Sequence, residues 1–451
     1  MDLLDQSVLP QSPQHLQLIR YLLSLSFTIF IPYVSVLVGT LSFSLYFRRK
    51  GQKTGSGIYT IFSKDLIDLA TINKSISFGF ALIPILSSIF GYSQLLHSSN
   101  SGVPGFLLIS FVILAGALLF IYTYKYTFHL KDIFKYADAK KDGNESDNEI
   151  KHEISTYSQK TALLNNKTGF YGLLLLLFSI YIVIGSVEFA SDSTRWEDGN
   201  NLLGIIFSSS TLIGFIQFII GSAVITSAFI IFRLLRQDEE SANRDEDYIS
   251  FVKTFSLRLG LVSIILFSIL IILSVFTQPV NSLSFSFFGS ILLILIVLFL
   301  TSFLFYFMIK ESNIKYSQPV IYLVIAAFAL IVIKDQFAFE TSAKMHSEIL
   351  AGQYDEYIKK FEEATGTTAP INGADIYNGR CIACHSFDHK VVGPPYKQTL
   401  PKYEGKINDL VAFIMNPVKK NPDYPSMPSQ GLKQNEAQVV AEYLLKTYKT
   451  K

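Results

Sequence analysis

Residues 379–396 read GRCIACHSFDHKVVGPPY, and this stretch holds both cysteines of the 451-residue chain, Cys381 and Cys384, with His385 directly after the second. Cys-x-x-Cys-His is the attachment signature of c-type haem. The spacing has a chemical reason: two thiols one helical turn apart reach the two vinyl groups on one edge of the macrocycle, while the adjacent imidazole points at the iron. A redox dithiol or half of a zinc tetrahedron would use the same two thiols. Neither explains the histidine, no βαβ pattern surrounds the motif, and no further cysteine exists to complete a zinc site. One covalent haem c, with Cys381 and Cys384 as attachment points and His385 on the iron, is the expected cofactor.

The flanking segments resemble class I cytochromes c. NGADIYNGRCIACH is similar to that family's N-terminal helix, in which a small residue and an aromatic precede the haem-binding turn. VVGPPY is similar to the Gly-Pro-Pro segment after the haem, DYPSMPSQGL to the loop that presents the sixth ligand, and NEAQVVAEYLLKTY to the closing helix that crosses the first. The four segments follow the family's order across residues 370–450. The resemblance implies that Pro395, or its neighbour Pro394, offers a backbone carbonyl to the His385 imidazole and fixes its orientation. It also implies Met427 as the sixth ligand. Met415, at the end of an apolar helix, and His389, close to His385 along the chain, are the alternatives. A His/Met pair raises the reduction potential. Lys390, Lys397 and Lys402 near the haem loop form either a docking face or ordinary solvated surface.

Half of the residues are hydrophobic, 16% are charged, and phenylalanine occurs 38 times. That balance fits a polytopic membrane protein. A formal net charge of +2 without a long basic run gives no footing to a nucleic-acid partner. Apolar runs long enough to cross a bilayer fall at 21–46, 71–96, 103–128, 169–190, 202–232, 252–278, 284–309 and 318–339. Helices are expected, because backbone groups facing lipid must be satisfied within their own segment. The odd connections carry the lysines and arginines, among them Arg48, Arg49, Lys131, Lys135, Arg233 and Lys310, whereas the even ones carry only Arg195. By the positive-inside rule the odd connections are cytoplasmic and both chain ends lie outside.

The first 20 residues lack the basic n-region and small-residue cleavage site of a secretory signal, so an uncleaved chain with an outward N-terminus is expected. The expected fold is all-α: an eight-helix transmembrane domain over 1–340, a stalk helix and linker over 341–369, and a small class I cytochrome c domain over 370–451. A halving of the spans into two groups of four near the fourth connection is conceivable from their order. Haem is attached outside the cytoplasmic membrane, which agrees with the placement drawn from the charges; the expected location is a bacterial inner membrane with the cytochrome domain on its outer side.

The seven histidines limit what the spans can hold. His385 and His389 lie in the haem loop, His152 in the third connection and His346 in the stalk, so a two-haem wire across the bilayer is not supported. A single haem b between His15 and His97 at the outer face stands against the reading of both as interfacial histidines at helix ends. His129 with Met308, at the inner face, is a weaker pair. The outward N-terminus and His15 at the start of the first span are faintly similar to the large subunit of cytochrome bd quinol oxidases. The third span, VPGFLLISFVILAGALLFIYTY, has no acid, and the outer connections are too short for that family's quinol loop; the resemblance then implies a chain that has lost oxygen reduction. Membrane urate oxidases share the layout of a multi-span domain before a C-terminal cytochrome c.

Glu188, Lys334 and Asp335 lie toward the outer ends of spans, either as anchors and interface pairs or as contacts for protons or a quinol head. Gln217 is a mid-span amide suited to an interhelix hydrogen bond, Arg258 is placed to snorkel inward, and Trp196 is an outer anchor or a contact for the haem domain. The expected function is a membrane-anchored c-type cytochrome subunit that transfers single electrons at the outer face within a respiratory-type complex. Its expected partners are other subunits, a periplasmic electron donor or acceptor and membrane lipid, with quinol a further candidate. The alternative is a membrane domain that is itself a quinol-dependent oxidoreductase, with the fused haem as outlet.

Overall fold

The computed structural model describes all residues except 1–9, 72, 140–146, 197–201, 236–244, 366–371, 420, 421, 423 and 451. Helix α1 (Pro13–Thr54) starts at a serine cap, with Ser12 accepting from the His15 N–H and Pro13 in the first turn, where a missing donor costs nothing. It ends at Gly55, whose φ of 69° lets its N–H close on the Gly51 carbonyl. The first connection is not an open loop: α2 (Gly57–Ala70) buries Phe62, Leu66 and Leu69, spaced three and four apart, against the bundle.

The next helices are α3 (Lys74–Leu95), α4 (Val103–Ala139) and α5 (Asp147–Ala190). The last two run well past their apolar cores, so the third connection is largely helical on both sides of the undescribed residues. The fifth apolar run, expected as one span over 202–232, is broken into α6 (Leu202–Ile206) and α7 (Ser209–Leu234). The break falls at Ser208, which is extended at φ −72° and ψ 134°. Consecutive serines here offer the backbone local hydrogen bonds that compete with helix. Then follow α8 (Glu246–Val275), α9 (Phe285–Lys310) and α10 (Ser317–Ser342), the first two capped by Asp245 and Ser284. Among the described residues, eight helices are long and apolar enough to cross a membrane: α1, α3, α4, α5, α7, α8, α9 and α10.

The spans pack as two halves. Buried side chains of α1, α3, α4 and α5, with Val332 and Phe339 of α10, form one core, including Phe30, Leu41, Ile85, Leu118 and Ile180. Those of α7 to α10, with Phe62 and Leu66 of α2, form a second around Ile264, Phe267, Leu298, Phe305 and Phe328. Ile31 and Val36 of α1 touch both cores, so α1 is the shared wall. Glycines set the closest approaches, as lipid-embedded helices require. A Cβ added at Gly39 of α1 would lie 2.1 Å from Thr226 Oγ1 of α7, and one at Gly260 of α8 would lie 2.3 Å from Phe305 Cε1 of α9. Hydroxyls add cross-links: Ser110 and Ser179 lie 2.9 Å apart, and each also donates to the other's carbonyl at 3.0 Å.

At the end of the bundle carrying the even connections, Arg20 pairs with Glu340 at 3.3 Å and donates to Ser347 at 2.6 Å. There Ser342 accepts from the Ser193 N–H at 3.0 Å, and Asn281 donates to Ser193 Oγ at 2.7 Å. Trp196 is buried rather than interfacial: its indole donates to the Phe189 carbonyl at 3.2 Å. Its ring meets His346 edge to face at 5.4 Å, on α11 (Lys344–Thr365), the helix after the last span. At the opposite end Arg48 is only 5% exposed, its guanidinium lying over the rings of Tyr124 and Phe128. An arginine counted with the cytoplasmic loop is thus part of the bundle, held by ring faces. Arg258 is exposed, in keeping with a side chain that reaches the surface.

Two outcomes follow. Gly39→Val should destabilise the bundle by about 1–3 kcal/mol through overpacking, whereas Gly116→Ala, with nothing within 4 Å of the added carbon, should be neutral or raise stability by at most about 1 kcal/mol; thermal melts in detergent distinguish them. Burial lowers the His346 pKa from its ordinary 6.5, while the His97 carbonyl that its ring donates to works against this. The neutral ring therefore contributes stability above pH 6.5 that is lost as pH falls through the depressed pKa. Fluorescence of Trp196, the single tryptophan, should change in that acidic window and cease to do so in His346→Gln.

Candidate functional site

The chain divides into two compact units, one ending at Tyr354 and the other beginning at Asp355. In the second, Asn372 caps α12 (Gly373–Ile376) by accepting from the Ala374 N–H. The helix continues through a wider turn over Tyr377–Cys381, closed by the Ile382 N–H on the Tyr377 carbonyl at 2.9 Å. The chain then reverses, because the N–H groups of Cys384 and His385 both reach the Cys381 carbonyl, at 3.1 and 2.9 Å. That reversal sets the two thiols, which form no disulfide, on consecutive arms of one turn. The Gly393 N–H returns to the Cys384 carbonyl at 2.8 Å and lays the Gly-Pro-Pro segment against the turn.

His385 is fixed from two sides. Its Nδ1 lies 3.1 Å from the Pro394 carbonyl, which can only accept, so Nδ1 carries the proton and Nε2 is left as the free donor atom for a metal. Its ring stacks on Tyr396 at 4.9 Å and 10°. Glycine at 393 is required by this approach: an added Cβ would lie 2.2 Å from His385 Cε1. Of the two prolines considered, the carbonyl partner is therefore Pro394. Pro395 is buried, caps α13 (Tyr396–Thr399), and spends its carbonyl on the Gln398 N–H at 3.1 Å and the Thr399 hydroxyl at 3.3 Å.

The frame comes from α14 (Ile407–Met415) and α15 (Gln434–Thr450). α15 crosses α12 at Gly373, where a Cβ would lie 2.5 Å from both the Val439 carbonyl and Tyr443 Cβ. Tyr377, Phe387, Tyr396, Leu410 and Val440 fill the core beneath the turn, and the Tyr377 hydroxyl donates to the His385 carbonyl at 3.2 Å. Burial lowers the His385 pKa, partly offset by the Pro394 carbonyl, and keeps the imidazole neutral as a ligand must be. Burial likewise raises the Cys381 thiol, with the Tyr396 hydroxyl acting in the opposite direction. A reactive thiolate needs a depressed pKa, which Cys381 does not have. Two unbridged thiols on one turn, a neutral imidazole locked at Nδ1 and a glycine that clears its ring fit a covalently held haem.

Met427 lies half-buried in an irregular segment. Arg380, adjacent to Cys381, donates to the Gln430 carbonyl at 2.6 Å and ties that segment to the haem-binding turn. Of the alternatives, Met415 packs on the domain core, and the exposed His389 bonds Ser386 at 3.2 Å. Among the three lysines, Lys397 pairs with Asp388, Lys390 lies 4.6 Å from the Tyr424 ring centre and Lys402 lies 5.1 Å from that of Tyr403.

In the membrane domain the structure lends no support to haem b. His15 is exposed on the first turn of α1, and the cavity at His97 measures about 10 Å³, bounded by Leu16, Gln94 and Leu350 but not by His15. His129 is held by Asp68 at 3.0 Å, in company with Lys125, while Met308 is fully buried in the second core. Asp68 sits on α2, a helix that the apolar pattern of the spans did not announce. Glu188, Lys334 and Asp335 do come together, and line one cavity with Gln217. Gln336 and Gly214, which join them there, were missed; the clue was the polar run Lys334-Asp335-Gln336 inside an apolar span.

The sequence model of the cytochrome c family matches residues 371–447. Cytochrome c-551 of Pseudomonas denitrificans is 35% identical over 78 residues, which is 94% of that protein and 16% of this chain. Cytochrome c-551 of Azotobacter vinelandii is 32% identical over 77 residues, 94% of its length and 16% of this chain, and that of Pseudomonas aeruginosa is 34% identical over 71 residues, 68% of its length and 15% of this chain. No solved structure matches. These findings bear on the C-terminal domain; the likeness of the first span to the cytochrome bd subunit receives nothing from them.

Gly393→Ala should push the His385 ring off its Pro394 contact and cut covalent haem content severalfold. Gly379→Ala, where an added carbon meets nothing within 4 Å, should keep it. Haem stain on denaturing gels, scaled to protein, reads the difference.

Proposed function

Because the chain belongs to the cytochrome c family through its C-terminal domain, we propose that the whole protein is a membrane-anchored cytochrome passing single electrons at the outer face of a bacterial inner membrane, within a respiratory-type assembly. The observation that carries this reading is the Cys381–Cys384–His385 turn, with its imidazole oriented by Pro394, on the same chain as eight candidate spans. Haem, when bound, supplies a one-electron iron couple. The chain's part would be to hold and tune it: Cys381 and Cys384 would fasten it covalently, and His385 and Met427 would supply the ligands of its iron. Arg380 supports the last assignment by tying the methionine segment to the turn.

The asymmetry of basic residues between odd and even connections supports the outer placement. Haem attachment outside the cytoplasm agrees with it. Anchoring confines the carrier to the membrane plane, where partners in the same plane meet it at high effective concentration. The ammonium groups of Lys390 and Lys402 rest on aromatic rings without a carboxylate partner among the described contacts, and so suit an acidic partner surface, with rates that fall as salt rises.

A pyridine haemochrome spectrum of the detergent-purified chain, paired with acid-acetone extraction, tests the reading. One covalent haem per chain with nothing extractable is expected. Met427→Ala should keep that haem, lose the sulfur-to-iron charge-transfer band and lower the potential by on the order of 100 mV. Extractable haem alone, or an unchanged potential in Met427→Ala, would sink it.

A further inference from the structure

A partly open cavity of about 110 Å³ is lined by residues of both cores. For comparison, a cavity of roughly 150 Å³ accepts benzene, so a substituted ring would occupy this one by extending through its open side. Phe27 and Phe30 of α1, Phe218 of α7, Phe267 of α8 and Phe328 of α10 wall it. One end is polar. Lys334, its side chain 5% exposed, holds Asp335 at 2.8 Å, and Glu188 of α5 accepts from Gln278 at 3.2 Å. Gln336 lines the same space, and its Nε2 is buried with no hydrogen-bond partner among the described residues. Gly214 keeps the space beside Glu188 clear: a Cβ there would lie 3.0 Å from Ile184 and 3.5 Å from Glu188 Oε1.

Charged groups inside a span are costly and mark function by default. An alkyl chain would satisfy none of them, and water would gain nothing from the aromatic walls. A flat ring with oxygens at its edge meets both demands, stacking between phenylalanines while its oxygens accept from Lys334 or Gln336 and donate to Glu188 or Asp335. We propose that this cavity binds the head of a lipid-soluble quinone or quinol, with Glu188, Lys334 and Gln336 as its polar contacts and Gly214 providing the clearance. The cavity lies toward the end of α10 from which the chain runs on into α11, so the ring would enter from the same half of the bilayer. The inference rests on the eight helices being membrane spans and is independent of the haem reading.

The test is equilibrium dialysis of the full chain in detergent against decylubiquinone and, separately, a short-chain menaquinone. These two probes share the edge oxygens and differ in ring size. Saturable binding near one per chain is expected for at least one probe, with affinity lowered tenfold or more in Glu188→Gln and Gly214→Val and severalfold in Gln336→Leu. Haem content and elution volume, followed in parallel, identify folded variants and keep a failure of the haem reading distinct from a failure here. Absence of saturable binding of either probe to the wild-type chain overturns the proposal. So does wild-type affinity in any folded member of the three variants; if only one of them folds, its affinity decides.

Discussion

Hydrocarbon offers no hydrogen bonds, and that single deficit orders this molecule. Backbone groups within the bilayer must be satisfied in their own segment, which makes the membrane part helical. It also makes every polar side chain there answerable to a partner. Serine and threonine hydroxyls turn back on the carbonyls of their own helices or bridge to a neighbour, as Ser110 and Ser179 do. Arginine is admitted where ring faces receive it, as with Arg48 on Tyr124 and Phe128. Around Glu188, Lys334 and Asp335, which find partners in Gln278 and in each other, and Gln336, whose Nε2 finds none among the described residues, there is also a cavity.

The same deficit explains why the two cysteines stand apart. Thioether chemistry on a thiol and an imidazole needs a turn that reverses sharply and a glycine that lets a ring approach backbone. Irregular backbone of that kind is excluded from lipid unless buried in protein. The haem motif is therefore carried on a separate compact unit with its own small core of Tyr377, Phe387, Tyr396 and Val440. The glycines at 373 and 393 do comparable work there, one letting α15 cross α12 and the other letting His385 lie against the Gly-Pro-Pro segment.

Much of this was legible in the sequence because the signals were long or chemically specific. Eight apolar runs map onto eight span-length helices among the described residues, since a bilayer demands about 20 apolar residues of each. Cys381, Cys384 and His385 are defined by spacing. Signals shorter than a helix were less readable. The break at Ser208 hides within an apolar run, α2 is an amphipathic helix in a segment that reads as basic loop, and the choice between Pro394 and Pro395 turns on which carbonyl is already occupied. Trp196 and His346 lie 150 residues apart and meet only through the fold.

The division of the spans gives the cavity its meaning. Had the eight helices packed around one core, an ion pair and an unpartnered amide at its centre would have found room only at the expense of apolar contact. Two cores instead leave a seam, walled by α1 on one side and bridged by α5 and α10 on the other. Packing at the seam is held open by a glycine rather than closed by a larger side chain. Side chains of α1 and α10 enter both cores, so the seam is crossed by helices that belong to each side. Polar groups that would destabilise a continuous core are tolerated there at less cost, and they give an otherwise apolar space donors and acceptors of the kind that ligand sites place among apolar walls. The membrane domain thus combines an anchor's architecture with one site whose chemistry an anchor alone would not require.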